Sequence, residues 1–480
     1  MKIHTKKIVD QHSNFSSAWK NMLEDLLLYG LRAGADLIEI FLERSNSIGA
    51  LSEQGIITNT NSHFGKGAGI RIFRGGFDSF FSTNDLSIEG LNYGLDKALS
   101  MVELSLPAQN LSHFPFQGLS DLTDYGAIKE DWLGACPSLS TSAQILLEAN
   151  SHIQKQSKNT HICQGHFSRD WQEVMIAASD GTFVRDIRLH QSTILELMLT
   201  ERNHQSSVAR RYGTADNPAD MYEWDAKASA SEIYDSARVM LHAKPIEGGQ
   251  MPIVIANSSG GVIFHEACGH LLETTQLVEG STPFADSMGQ KIAHESVTAV
   301  DEGISKRAFG SLSVDDEGME PKSIVLIENG ILKQFISDRS GERLTGHIRT
   351  GSGRREHYAS SAASRMRNTY ITAGIHTPSE LIASVDKGLY CKSMGGGSVD
   401  SIGRFNFSVE EGYEIKNGQI GRPVKGATVL GDASTIMKRI SMCANDLGLA
   451  SGYCGSVSGN ICVTVGQPHI KVDSITVGGT

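Results

Sequence analysis

The chain has 480 residues and carries 43 Lys and Arg against 54 Asp and Glu, a formal charge of −11. That sign excludes a broad, unspecific grip on nucleic acid or on an anionic membrane. With 40% apolar and 20% charged residues the composition is that of an ordinary globular protein, and the length suggests two or three structural units. Fifty glycines without a period exclude collagen and point to tight turns and close backbone approaches. No uncharged apolar run reaches the roughly 18 residues of a membrane span, and MKIHTKKIVDQHSNFSS at the start lacks a signal peptide's apolar stretch, so a cytoplasmic location is expected. Seven cysteines, an odd number with no CxxC pair, argue for reduced thiols rather than a disulfide framework.

Taken in chain order, residues 17–31 place Trp19, Met22, Leu23, Leu26, Leu27 and Leu31 on one helical face. A strand over 36–43, short strands at 56–58 and 69–73, and a second amphipathic helix through Ile88, Leu91, Leu95, Ala98 and Val102 complete an α+β unit spanning 1–105. The stretch 106–123 has no clear period and reads as a connector. A middle α+β unit over 125–243 follows, with helices at 140–154 and 226–242 and strands near 174–178 and 194–200. The break at 244–249, KPIEGG, opens a C-terminal unit over 245–480 that is rich in hairpins and mostly antiparallel. Asn329-Gly330 and Asn417-Gly418 each supply the two positive φ angles of a type I′ turn. Helices are expected at 261–277 and 433–446, and the fold class is α+β.

The chemistry concentrates at 261–274, GVIFHEACGHLLET, which presents His265, Glu266 and His270. A His-Glu pair with a second His on one helix is a way to hold zinc, the glutamate serving as the base for water. The spacing is unusual. Histidines four apart lie about 40° from each other around a regular helix, whereas five apart they diverge by about 140°. A π-bulge would absorb the extra residue, and Gly269 is a plausible place for it, so local helix irregularity is expected there. The competing reading is a core histidine beside a solvent-facing glutamate.

Several segments together resemble the TldD/PmbA family of metallopeptidases, once described as modulators of DNA gyrase. They are SEQGIIT at 52–58, GKGAGIRIF at 65–73, FHEACGH at 264–270, VDDEG at 314–318, GRREHY at 353–358, RMRNTY at 365–370, GGGSVD at 395–400, PVKGATVLG at 423–431 and VGQPHIKVDSITVGG at 465–479. Motif order and the presence of the histidine motif resemble the TldD branch. The resemblance implies a zinc site of His265, His270 and a cysteine, Cys454 in SGYCGS, with Cys462 in the strand-like run ICVTVG as the alternative. It further implies peptide hydrolysis with Glu266 as general base and pairing with a TldE/PmbA-like subunit around an enclosed chamber; a homodimer is the default if that subunit is absent. Unfolded or short peptides are the expected substrates, with no nucleic-acid or membrane partner.

Arg354, Arg355, His357 and Tyr358 are candidate oxyanion donors, and Gly395, Gly396 and Gly397 could let a substrate backbone approach. Where the family usually has proline before its Arg-Met-x-Asn-Thr-Tyr run, this chain has Ser364. Gly65, Gly67 and Gly69 fit no phosphate loop and read as a hairpin turn, Asp315-Asp316-Glu317 reads as a solvated turn, and His294-Glu295 has no second histidine within helical reach. Two rival functions remain: a regulatory protein with a structural zinc, and a cysteine hydrolase using Cys268 or Cys454.

Overall fold

A computed structural model describes residues 15–105, 116–156, 160–400 and 403–479. The expected connector therefore lies largely outside the described residues. The architecture is α+β and mostly antiparallel, as the patterning implied.

A seven-stranded sheet is built from very long strands: Leu37–Glu53, Ile56–Arg74, Thr160–Ala178 and Phe183–Glu201 form its centre. Leu37–Glu53 pairs with Ile56–Arg74 on one side and with Thr160–Ala178 on the other, so a single sheet runs through both of the stretches on either side of the connector. Apolar side chains at Ile38, Ile40 and Leu42 alternate inward and bury the helices Lys20–Arg32 and Ile88–Ser105. The helices Leu139–Gln156 and Ala226–Leu241 pack on a second apolar patch around Phe167, Leu195 and Leu197.

The expected strands at 56–58 and 69–73 are one strand, and the three glycines between them are not a turn. Gly65, Gly67 and Gly69 lie inside Ile56–Arg74, where an added Cβ on Gly67 would sit 2.2 Å from the Tyr358 ring and one on Gly69 would sit 2.5 Å from the Tyr358 carbonyl. Gly67 and Gly69 are glycines because a distant loop docks on the strand, whereas Gly65 faces Ser45 of the neighbouring strand.

The C-terminal half contains an eight-stranded sheet that closes on itself: Lys387–Val399 pairs with both Gly249–Ile255 and Arg404–Lys416. Its interior, with Ile253, Leu389, Phe407, Val429 and Val472, encloses the apolar face of the histidine helix at Phe264, Ala267 and Leu271. Both Asn-Gly turns form, with φ of 48° and 82° at Asn329 and Gly330 and 52° and 72° at Asn417 and Gly418. The helix expected over 433–446 is shorter than expected: it ends by Arg439, and Ile440–Cys443 is a strand on Ile470–Gly478. Cross-strand pairing overrides the apolar spacing there.

Asp315, Asp316 and Glu317 are buried rather than solvated. Glu317 accepts from Arg71 and from the Arg339 backbone, and Asp316 accepts from Arg188, so the acidic run ties the N-terminal sheet to the C-terminal half. Glu39 bonds the Arg355 guanidinium at 2.5 Å, and both side chains are fully buried. Glu39→Ala would leave Arg339 and Arg355 without this carboxylate. The expected cost is about 3–5 kcal/mol, read as a lower urea midpoint by tryptophan fluorescence; an unchanged midpoint would contradict this role.

Candidate metal centre

The strand Gly249–Ile255 leads into a tight turn, Ser258–Gly261, and then into the histidine helix. Gly261 is the pivot: an added Cβ would meet the Gly466 backbone nitrogen at 2.4 Å, so only glycine lets the helix start lie on the strand Gly459–Gln467. After one α-turn the helix widens into a π-turn over His265–Gly269, in which the His270 N–H donates to the His265 carbonyl. This i→i+5 bond turns both imidazoles to one face, with ring centroids 5.1 Å apart and planes at 81°.

The irregularity falls at the expected glycine for a different reason. Gly269 has ordinary helical angles, φ −55° and ψ −51°. What excludes a side chain is Met366, whose Sδ would lie 2.2 Å from an added Cβ.

Cys454 arrives from the far end of the sequence on Gly448–Ser456, the edge strand of a six-stranded sheet. Its Sγ lies 3.3 Å from His265 Nε2 and 3.2 Å from His270 Nε2. One donor atom from each residue falls within 4.8 Å of the others. Cys462 sits opposite Tyr453, one residue out of phase with Cys454, and alternation along the hairpin turns it to the other face. Glu266 is partly exposed, and its Oε2 is 3.8 Å from His270 Nε2.

Two residues that the sequence reading missed hold this arrangement. Glu273 is buried; one oxygen is 3.0 Å from His270 Nδ1 and the other accepts from the Met366 N–H at 3.0 Å. It follows His270 by three positions, a helical-neighbour spacing that was legible in principle. Arg365 donates to the Cys454 carbonyl at 2.5 Å and to Ser458 Oγ at 2.8 Å, clamping the hairpin tip, and only its place in the RMRNTY run could have flagged it. Ser364, where proline was expected, anchors the loop otherwise: its hydroxyl accepts from the Thr275 N–H at 2.9 Å.

The electrostatics favour a thiolate. Burial raises the Cys454 pKa, but the neighbouring His265 and His270 imidazoles outweigh it and pull it down to about 3. Burial opposes protonation of His270, yet Glu273 and Cys454 raise it well above the ordinary histidine value. Cys268, by contrast, is a core residue whose thiol burial pushes up to about 12.

The other candidates do not join the three donors. Arg355 is committed to Glu39, with its guanidinium 4.4 Å from the Phe41 ring centroid. Tyr358 packs over Gly67 while its N–H donates to Glu43 at 2.6 Å. His357 is exposed, its Nδ1 accepting from the Ala359 N–H. Arg354 donates through Nη1 to the Met366 carbonyl at 2.9 Å. Gly395, Gly396 and Gly397 lie in the strand Lys387–Val399, where Gly397 packs against Phe407 and Gly396 faces open space.

Comparison with known proteins identifies the family. The description "PmbA/TldA metallopeptidase C-terminal domain" matches residues 248–479, and "PmbA/TldA metallopeptidase domain 1" matches 38–102. The "Metalloprotease TldD homolog" of Haemophilus influenzae is 33% identical over 456 residues, 93% of each chain. The chain belongs to the PmbA/TldD metallopeptidase family. It is thus a metallopeptidase, and its TldD relatives include a Buchnera aphidicola protein 32% identical over 89% of each chain. A Saccharolobus solfataricus "Zinc metalloprotease TldD homolog" is 34% identical over 48% of this chain and 52% of its own. Among solved structures, TldE from Thermococcus kodakarensis shares the fold, with a TM-score of 0.76 at 19% identity, covering 95% of this chain and 100% of that one. A Thermotoga maritima protein whose description names DNA gyrase aligns with a TM-score of 0.75 at 16% identity, covering 95% of this chain and 99% of its own.

The thiolate is directly observable. In metal-free protein its absorbance near 240 nm is expected to persist at about pH 5, where an ordinary thiol is protonated, and to be missing from Cys454→Ser. Loss of the signal below about pH 8 in the native chain would count against the imidazole–thiolate pairing.

Proposed function

We propose that this chain is a zinc peptidase in which His265, His270 and Cys454 hold the ion and Glu266 is the general base. The observation that carries the reading is the donor set together with its neighbour. Two imidazole nitrogens lie 3.2–3.3 Å from a thiol sulfur, the Glu266 carboxylate stands 3.8 Å from His270 Nε2, and among the described residues the group stops at three ligands. Zinc–nitrogen and zinc–sulfur bonds of about 2.0 and 2.3 Å at a tetrahedral angle set donors about 3.5 Å apart, so the residues fit this ion. Two neutral imidazoles, one thiolate and a buried carboxylate behind His270 form a borderline-soft set suited to zinc.

A bound zinc supplies Lewis acidity, lowering the pKa of water and polarising a carbonyl. Glu266 accepts the proton of the attacking water and passes it to the leaving amine. Glu273 keeps the Nδ1 proton on His270, so that Nε2 presents its lone pair to the ion, and Arg365 holds the hairpin tip so that the sulfur stays in reach.

A cavity of about 910 Å³, lined by Leu449, Ala450 and Ser451 of the strand Gly448–Ser456 that also carries Cys454, has room for an extended peptide, although none of the three metal-site donors lines it. Unfolded or short peptides are the substrates of this reading. Its quaternary form is a pair with a TldE-like subunit, or a homodimer, and its location is the cytoplasm; among the described residues no helix is long and apolar enough to cross a membrane. A structural zinc in a regulatory protein would leave Glu266 unexplained and would ordinarily be closed by a fourth protein ligand.

Glu266→Gln is expected to retain zinc by metal analysis while cleavage of an unstructured peptide falls by about 10²–10⁴-fold. His265→Ala and Cys454→Ala should lose both metal and turnover. Full activity in Glu266→Gln would remove it from the mechanism.

A further inference from the structure

A second cavity, of about 440 Å³, lies on the opposite side of the Cys454 hairpin, between that hairpin and the long-stranded sheet. Tyr453 and Cys462, which alternate away from Cys454, line it together with Arg354. Exposed His63 and His357 also line it, so it communicates with solvent.

Arg354 is the anomaly of this cavity. It is only 4% exposed, yet among the described residues no carboxylate lies within ion-pair distance of it, and its one hydrogen bond goes to the Met366 carbonyl. The other two arginines that line the cavity each have an acid: Arg188 has Asp316 and Arg355 has Glu39. The carboxylates facing the cavity are already engaged. Asp316 accepts from Arg188 through one oxygen and from the Arg355 N–H through the other. Glu43 accepts from the Tyr358 N–H, Asp170 from Ser47, and Glu356 from the Asn460 N–H. Burial without an ion partner also drags the Arg354 pKa down to about 10, with Asp316 opposing from a distance. Lining a solvent-reachable cavity without a carboxylate of its own, the Arg354 guanidinium is placed to pair with an anion that enters it. On the same wall the His190 Nε2 is buried with no hydrogen-bond partner, and burial lowers the His190 pKa to about 4, which leaves a neutral ring able to donate or accept one further bond.

We propose that this cavity is a carboxylate subsite, anchored by the Arg354 guanidinium, that holds either the C-terminal carboxylate or an acidic side chain of a bound peptide. It deepens the peptidase reading and rests on it for the identity of the ligand. Arg354 is linked to the metal side through Met366, whose carbonyl accepts a hydrogen bond from Arg354 and whose sulfur lies against Gly269. Carboxylate and guanidinium match in a paired hydrogen-bond geometry, which a lysine reproduces only as a point charge.

The test uses one unstructured peptide in four forms: free acid or C-terminal amide, each with Glu or Gln at an interior position. KM is measured on the zinc-loaded protein, and binding is measured separately on the metal-free protein by thermal shift. The native chain is expected to favour a carboxylate-bearing form by about 10–100-fold, and Arg354→Met to bring that ratio to about one, with Arg354→Lys restoring part of it. Discrimination between acid and amide assigns the subsite to the peptide terminus; discrimination between Glu and Gln assigns it to a side chain. Equal affinity for all four forms in the native chain overturns the proposal, as does discrimination that survives in Arg354→Met. If Arg354→Met fails to fold, the four-way comparison in the native chain decides alone. Thermal-shift discrimination without cleavage of any form would support the subsite while refuting the peptidase reading.

Discussion

The i→i+5 hydrogen bond from His270 to the His265 carbonyl is the constraint on which the centre depends. With a regular α-turn the two rings would point about 140° apart and no single ion could meet both. The widened turn is held from three directions: by Met366 against Gly269, by Glu273 on the Nδ1 side of His270, and by the close approach of Gly261 to Gly466. Each support comes from a segment outside the turn itself. A π-turn is uncommon within an α-helix, and here contacts from outside the turn hold it in place.

The third donor needs a support of its own. Cys454 sits on an edge strand close to a hairpin tip, a position that would ordinarily be loose. Arg365 bonds the Cys454 carbonyl and the Ser458 hydroxyl from a fully buried position, which makes the tip part of the core. The low pKa of the thiol follows from the same placement: a sulfur between two imidazoles is stabilised as thiolate even though burial alone would favour the neutral form.

The halves of the molecule meet through buried ion pairs as well as an apolar cluster in which Val314 and Tyr358 pack with Phe41, Val174, Ile176 and Val184. Arg71 with Glu317, Arg188 with Asp316, and Arg355 with Glu39 all cross between the long-stranded sheet and the catalytic half. Such pairs add little net stability compared with apolar contacts, but each has one geometry, so they register one half against the other. Arg354 stands in the same layer without a carboxylate of its own, beside a cavity that Tyr453 and Cys462 also line.

Much of this was legible beforehand, for local reasons. The amphipathic helices, the two Asn-Gly turns and the His-Glu-x-x-x-His pattern are set by side-chain periodicity and backbone preference within a few residues, which a sequence displays directly. Gly269 could be marked as irregular because the five-residue spacing is incompatible with a regular turn. The extent of Ile56–Arg74, the strand at Ile440–Cys443 and the burial of Asp315, Asp316 and Glu317 could not be, since each depends on a partner far along the chain: Tyr358 for Gly67 and Gly69, Ile470–Gly478 for the strand, arginines of the other half for the acids. The sequence by itself determined which chemical groups are available and how the nearby ones are spaced. Tertiary structure alone decided that Cys454 rather than Cys462 faces the imidazoles, because in a hairpin a shift of one residue turns a side chain to the opposite face, and that register is set by pairing with Gly459–Gln467 rather than by composition.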